Sequence, residues 1–232
     1  MFHGQYSREQ KKNGWLRNLD DDHSTDIFSK ESKKVKKNMT KFSKIETGIK
    51  DLVAIEPSVF GDARGFFMET YHERDFQSLG ILDKFVQDNH SKSKKNVFRG
   101  LHFQVKNPQG KLVRVVSGAA LDITVDLRKD SGTFGNHFTI LLTAENKTQL
   151  YVPEGFAHGF LTLEDNTEFV YKCTDYYSPK DESGIIWNDK ELNIDYQLER
   201  FKINPSDVIV SEKDKKLQTF SDFVKSGVEI KR

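Results

Sequence analysis

Apolar and polar residues alternate with a period of two along most of this chain, in short runs separated by turn residues. The clearest run is Leu121-Asp122-Ile123-Thr124-Val125-Asp126-Leu127-Arg128, which puts four apolar side chains on one face of a strand and four polar ones on the other. It predicts a half-buried strand. Further strands are predicted at 112–116, 138–142, 149–152, 160–163 and 168–172, bounded by Gly118, Gly132, Gly135, Pro153 and the Glu164-Asp165-Asn166 turn. Many short strands at this spacing predict an all-β domain, either a sandwich or a jelly-roll barrel. Near the C-terminus Ser211 precedes Glu212, Lys213 and Asp214, and Leu217, Phe220 and Val224 follow at helical spacing with Gly227 beyond. That pattern predicts one capped amphipathic helix at the periphery.

The first 38 residues follow neither period. They carry charged clusters such as Asp20-Asp21-Asp22 and Lys33-Lys34-Val35-Lys36-Lys37 among scattered apolar residues. They are expected to be a structureless extension or a non-native leader, with a basic interaction arm as the alternative; residues 39–232 are expected to form one domain. Composition adds 36% hydrophobic residues and 18 Phe, enough for a substantial core in a chain of 232 residues. A net charge of +1 gives no whole-molecule field for nucleic acid, so an anion site would have to be local. Cys173 is the only cysteine and reads as a small strand residue, and no apolar run reaches the length of a membrane span. A cytoplasmic protein without nucleic-acid or membrane partners is expected.

The candidate chemistry lies in two glycine-bounded histidine segments, Arg99-Gly100-Leu101-His102-Phe103-Gln104 and Pro153-Glu154-Gly155-Phe156-Ala157-His158-Gly159-Phe160, followed by Tyr171 on a strand. A neutral imidazole takes a proton near neutral pH and a buried phenol returns one, so the set suggests acid–base catalysis. Neither histidine has a second histidine two or four residues away, the usual cue for a metal site, so no metal is expected. The histidines at 3, 23, 72, 90 and 137 stand in polar stretches and read as exposed or structural. Arg99, Lys111 and Arg114 are expected to place positive charge near one mouth, and Tyr176-Tyr177 offers flat aromatic surface that is equally consistent with core packing.

Several further blocks stand in fixed order around these residues. They are Phe60-Gly61-Asp62-Ala63-Arg64-Gly65-Phe66-Phe67-Met68-Glu69, Phe85-Val86-Gln87-Asp88-Asn89-His90-Ser91, Gly110-Lys111-Leu112-Val113-Arg114, Asp126-Leu127-Arg128, Ser131-Gly132-Thr133-Phe134-Gly135, 171–177 and Trp187-Asn188-Asp189. With the two histidine segments, they resemble the dTDP-4-dehydrorhamnose 3,5-epimerases over roughly residues 45–220. The resemblance implies a cupin-type jelly roll, usually a homodimer, that inverts C3 and C5 of a nucleotide-linked 4-keto-6-deoxyhexose without a cofactor. It implies His102 as base, Tyr171 as acid, Lys111 as the cation for the C4 oxygen and Asp214 as the carboxylate orienting His102. From the residues alone, Asp214 reads rather as a helix-cap acid three residues after Ser211. The same resemblance implies substrate contacts at Arg64, Glu69, Gln87, Asn89, Arg99, His158, Glu182 and Lys213, and stacking on the thymine by Tyr177. Ala63 stands where the family often carries an acidic residue. A mono-epimerase or 3,4-ketoisomerase on the same scaffold, or a sugar-nucleotide-binding cupin without activity, are the alternatives.

Overall fold

The structure is a computed structural model and describes residues 41–230. The expectation for residues 1–38 lies outside the described residues. The strands are β1 (Phe42–Glu46), β2 (Val53–Pro57), β3 (Phe60–Asp62), β4 (Gly65–Phe67), β5 (Gln87–Ser93), β6 (Phe98–Gln104), β7 (Lys111–Ser117), β8 (Ala119–Asp126), β9 (His137–Thr143), β10 (Gln149–Val152), β11 (Phe156–Thr162), β12 (Thr167–Cys173) and β13 (Glu182–Gly184). Two short helices accompany them, α1 (Glu73–Ser78) and α2 (Phe220–Ser226). The strands form a six-stranded sheet in the order β1-β2-β10-β7-β12-β5, a five-stranded sheet in the order β13-β6-β11-β8-β9, and the separate hairpin β3-β4. Every pairing within them is antiparallel, as expected of an all-β jelly roll.

The sheets face each other over an apolar layer that includes Val113, Val115, Leu150, Phe156, Phe160 and Phe169. Phe160 and Phe169 stack from opposite sheets with centroids 4.0 Å apart. A second core covers the outer face of the smaller sheet. There Leu121, Ile123, Val125 and Leu127 pack with Ile185, Leu192, Tyr196, Phe220 and Phe223 from the C-terminal segment. This arrangement corrects the half-buried reading of β8, whose eight residues are all buried. Its apolar face lies under the C-terminal segment. Its polar face turns inward, which is tolerable only where the charged groups find partners.

Asp126 meets that condition. It accepts from Arg128 Nε at 2.8 Å, Arg128 Nη2 at 2.8 Å, Ser131 Oγ at 2.6 Å and Thr133 Oγ1 at 2.7 Å. Burial raises its pKa, but these bonds outweigh burial and hold the carboxyl below its ordinary 3.8. The C-terminal helix also differs from expectation. It begins at Phe220, with the Thr219 hydroxyl accepting from Asp222 N, and ends at Gly227 with φ +68°. Ser211 instead caps a separate 3-10 turn, Asp214–Lys216, by accepting from Asp214 N at 3.0 Å.

Asp126→Ala leaves Arg128 with Asp51 as its remaining carboxylate and removes the shared acceptor of Ser131 and Thr133, and should cost about 1–3 kcal/mol at neutral pH. Because the folded-state pKa is depressed, this contribution is complete above pH 3.8 and is lost as pH falls through the folded value. Urea unfolding of both proteins should therefore show a gap at pH 7 that narrows towards pH 2. A gap that persists undiminished in acid would contradict the ionic account.

Candidate active site

His102 and His158 are direct cross-strand partners on β6 and β11. The strands pass so closely here that a Cβ on Gly100, which has φ +128°, would sit 2.5 Å from Gly159 Cα. A glycine at this crossing is therefore obligatory. The register then slips between His158 and Phe160, a local irregularity beside the paired histidines. Tyr171 comes from β12 and Lys111 from β7, both in the opposite sheet.

These four side chains line one cavity of about 510 Å³ between the sheets, together with Arg99, Glu182, Lys213 and Asp214. An adjoining cavity of about 340 Å³ shares His102, Lys111, Tyr171 and Glu182 and adds Gln87, Asn89 and Tyr177. Together they offer an elongated, two-part space. A larger cavity of about 840 Å³ lies around Arg128 and Lys129, but its arginine is paired with Asp126 and Asp51 and its Lys129 with Glu229. The side chains expected to carry the chemistry line the smaller pair.

His102 Nε2 donates to Asp214 Oδ1 at 2.7 Å. Burial works against the Asp214 carboxylate, but the His102 bond and charge, Ser211 and the Gly100 amide outweigh burial and hold it below the usual range. Ser211 is thus the cap of this turn, while the Asp214 side chain meets His102. Tyr171 is pushed up by burial, with Arg99 pulling the other way, and stays a protonated phenol at neutral pH. Lys111 is pushed down by burial and supported by Cys173, Asp122 and Glu182. At the mouth, Glu182 Oε2 accepts from the Tyr177 hydroxyl at 2.6 Å and from Lys213 Nζ. Gln87 donates to Asn89 at 3.1 Å, and Asn89 to the Cys173 thiol at 3.4 Å; Arg99 is braced by Ser93 at 3.1 Å.

Two expected contacts stand elsewhere. Arg64 at the β3-β4 turn pairs with Asp62 at 2.6 Å, and Glu69 pairs with Lys41 at 2.6 Å; neither lines the cavities. Arg114 also departs from expectation, since three residues along a strand reverse the face and it lines a different pocket, with Thr70 and Gln149. Asp122 was missed. Its Oδ2 shares a hydrogen bond of 2.8 Å with His158 Nε2, burial pushes its carboxyl up against the pull of His158 and Lys111, and its only sequence signal is its place on the polar face of β8. Among the described residues no group of three or more His, Cys, Asp or Glu side chains converges as a metal site.

An imidazole–carboxylate dyad and a protonated phenol from opposite sheets, with an amine on the same cavity, define an acid–base site of the isomerase type in an antiparallel barrel. The family model described as dTDP-4-dehydrorhamnose 3,5-epimerase matches residues 46–222, and the chain belongs to that family of carbohydrate isomerases. A relative of that description from Methanothermobacter thermautotrophicus is 49% identical over 177 residues, covering 76% of this chain and 94% of the relative. One from Salmonella typhimurium is 56% identical over 154 residues, covering 66% and 84%. A solved structure from Legionella pneumophila, in complex with dTDP-4-keto-L-rhamnose, superposes with a TM-score of 0.76 at 41% identity, covering 82% of this chain and 99% of that one.

Asp214→Asn should lower turnover by about 10²-fold, within the ~10²–10⁴ that a general acid–base group supplies, while dTDP affinity changes little. Turnover and calorimetric titration with dTDP would check this. Unchanged turnover would leave the His102–Asp214 bond a structural one.

Proposed function

We infer that this chain inverts C3 and C5 of dTDP-4-dehydro-6-deoxy-D-glucose to give dTDP-4-dehydro-L-rhamnose. The observation that carries the reading is the origin of His102 and Tyr171 on opposite sheets of one cavity. His102, oriented by Asp214, removes a proton from the carbon beside the C4 ketone. Charge moves onto the C4 oxygen, where the Lys111 ammonium stabilises it. Tyr171 then delivers a proton from the other face, and the centre inverts. In this reading Tyr177 stacks on the thymine, Glu182 and Lys213 hold the mouth, and Gln87, Asn89, Arg99 and His158 contact the nucleotide sugar.

The reading also includes a homodimer. The β3-β4 hairpin exposes Phe60, Phe66 and Phe67 at 54%, 60% and 66%, and it carries Arg64 away from its own cavity. A second copy covering that hairpin would bury the aromatics and receive Arg64 and Glu69 at its own site. Nothing in the site requires a cofactor in this mechanism. Among the described residues no helix is long and apolar enough to cross a membrane.

Incubation with dTDP-4-keto-6-deoxyglucose in heavy water tests the reaction. Deuterium should enter C3 and C5; entry at C3 alone would make the protein a mono-epimerase, and no entry would sink the reading. Tyr171→Phe keeps the ring but removes the donor. This variant should still exchange substrate hydrogen through His102 while forming little inverted product. Inversion at the normal rate would transfer the donor role to another group.

Phe66→Asp combined with Phe67→Asp should yield a folded monomer by sedimentation, with turnover reduced at least tenfold. A dimer of undiminished activity would place the interface elsewhere.

A further inference from the structure

Lys111 poses a charge problem. Its amine faces the cavity, and among the described residues no hydrogen bond holds it, while burial favours loss of its proton. A neutral amine could not balance an enolate oxygen. Three groups bear on it: Cys173, Asp122 and Glu182. The Cys173 thiol is pushed up by burial and is uncharged at neutral pH. Glu182 already carries Lys213 and Tyr177 on one oxygen.

Asp122 differs from both. It is fully buried on the inward face of β8, and its Oδ2 accepts from His158 Nε2 at 2.8 Å. Its Oδ1 is buried and has no hydrogen-bond partner among the described residues. A carboxylate with one satisfied and one bare oxygen is expensive unless a positive charge stands nearby. Burial pushes the Asp122 carboxyl up and favours its neutral form, and only its contacts with His158 and Lys111 work the other way.

We propose that Asp122 is a positioning residue of this site: one oxygen fixes the His158 ring, and the carboxylate charge keeps Lys111 an ammonium. The bond to His158 Nε2 leaves Nδ1 as the ring nitrogen available to a ligand. Lys111 and His158 are thereby held by one buried charge, on strands that also bear Tyr171's neighbours and His102's partner. The inference deepens the epimerase reading and rests on Lys111 meeting the C4 oxygen.

Asp122→Asn preserves shape and removes the charge. Turnover should fall by about 10²-fold or more, the loss typical of a disabled oxyanion donor, with dTDP affinity within about threefold of the parent. Without the carboxylate Lys111 loses its proton more readily, so the alkaline limb of kcat/KM should move to lower pH by about one unit. A purely structural role would lower the folded fraction and leave that limb in place. An unmoved limb, or turnover within about threefold of the parent, would overturn the proposal. In the unaltered protein, ¹³C NMR of the Asp122 carboxyl carbon should report a carboxylate through neutral pH. A protonated carboxyl there would overturn it even if the variant failed to fold. Failure of the epimerase reading is seen separately, as the absence of deuterium uptake by the unaltered protein.

Discussion

Charge pairing inside the barrel is the constraint on which the rest of the structure depends. Jelly rolls usually fill their interior with apolar side chains, and the lower part of this one does, through Val113, Val115, Phe160 and Phe169. Around the cavities the same inward positions carry His102, Lys111, Asp122, His158 and Tyr171. Each desolvated charge there costs several kcal/mol unless it is met by an opposite charge or hydrogen bonds. The fold meets that cost by placing partners on adjacent strands or on a capped turn: Asp122 on β8 faces His158 on β11, and Asp214 reaches His102 from outside the sheets.

This explains why the C-terminal segment is long and irregular. It covers the outer face of the smaller sheet with Leu192, Tyr196, Phe220 and Phe223, and so lets β8 turn its apolar residues away from the barrel interior. The same segment supplies Asp214 and Lys213 to the cavity mouth. Its attachment is specific: Ile209 exchanges backbone hydrogen bonds with Asn96 and Phe98 at the edge of β6, the strand that bears His102. Packing and the lining of the cavity therefore share one element.

The strands were legible because glycine, proline and polar turns bracket period-two runs. Gln149–Val152 matches its expected bounds, and the other predicted strands differ by one to four residues at their ends. The early start of β11 at Phe156 brings His158 onto the strand, a boundary that Gly155 obscured by looking like a continuing turn. The helix start was misplaced because Ser211 and Thr219 are both good caps, and only tertiary packing separates a three-residue turn from a helix. Asp122 was hidden for a deeper reason. Alternation tells which residues share a face, but not whether that face meets water or a cavity. Arg64 and Glu69 were expected only through family likeness, and the chain does not carry them to its own cavity.

In the proposed mechanism, the opposed origin of Tyr171 and His102 also bears on how one site could act at two carbons. C3 and C5 flank the same ketone, so removing a proton from either places charge on the same C4 oxygen. A fixed cation can serve both events, while the ring need shift only enough to bring each C–H bond before the imidazole. Mobility is then demanded of the sugar rather than of the protein. The walls fit that division of labour: Lys111, His102 and Tyr171 sit on sheet strands paired on both sides, whereas the groups at the mouth, Tyr177 and Lys213, are exposed and joined through a single carboxylate, Glu182. Rigid strands hold the proton donors and acceptors at fixed places. The exposed mouth leaves room for the nucleotide sugar to enter and adjust between the two inversions.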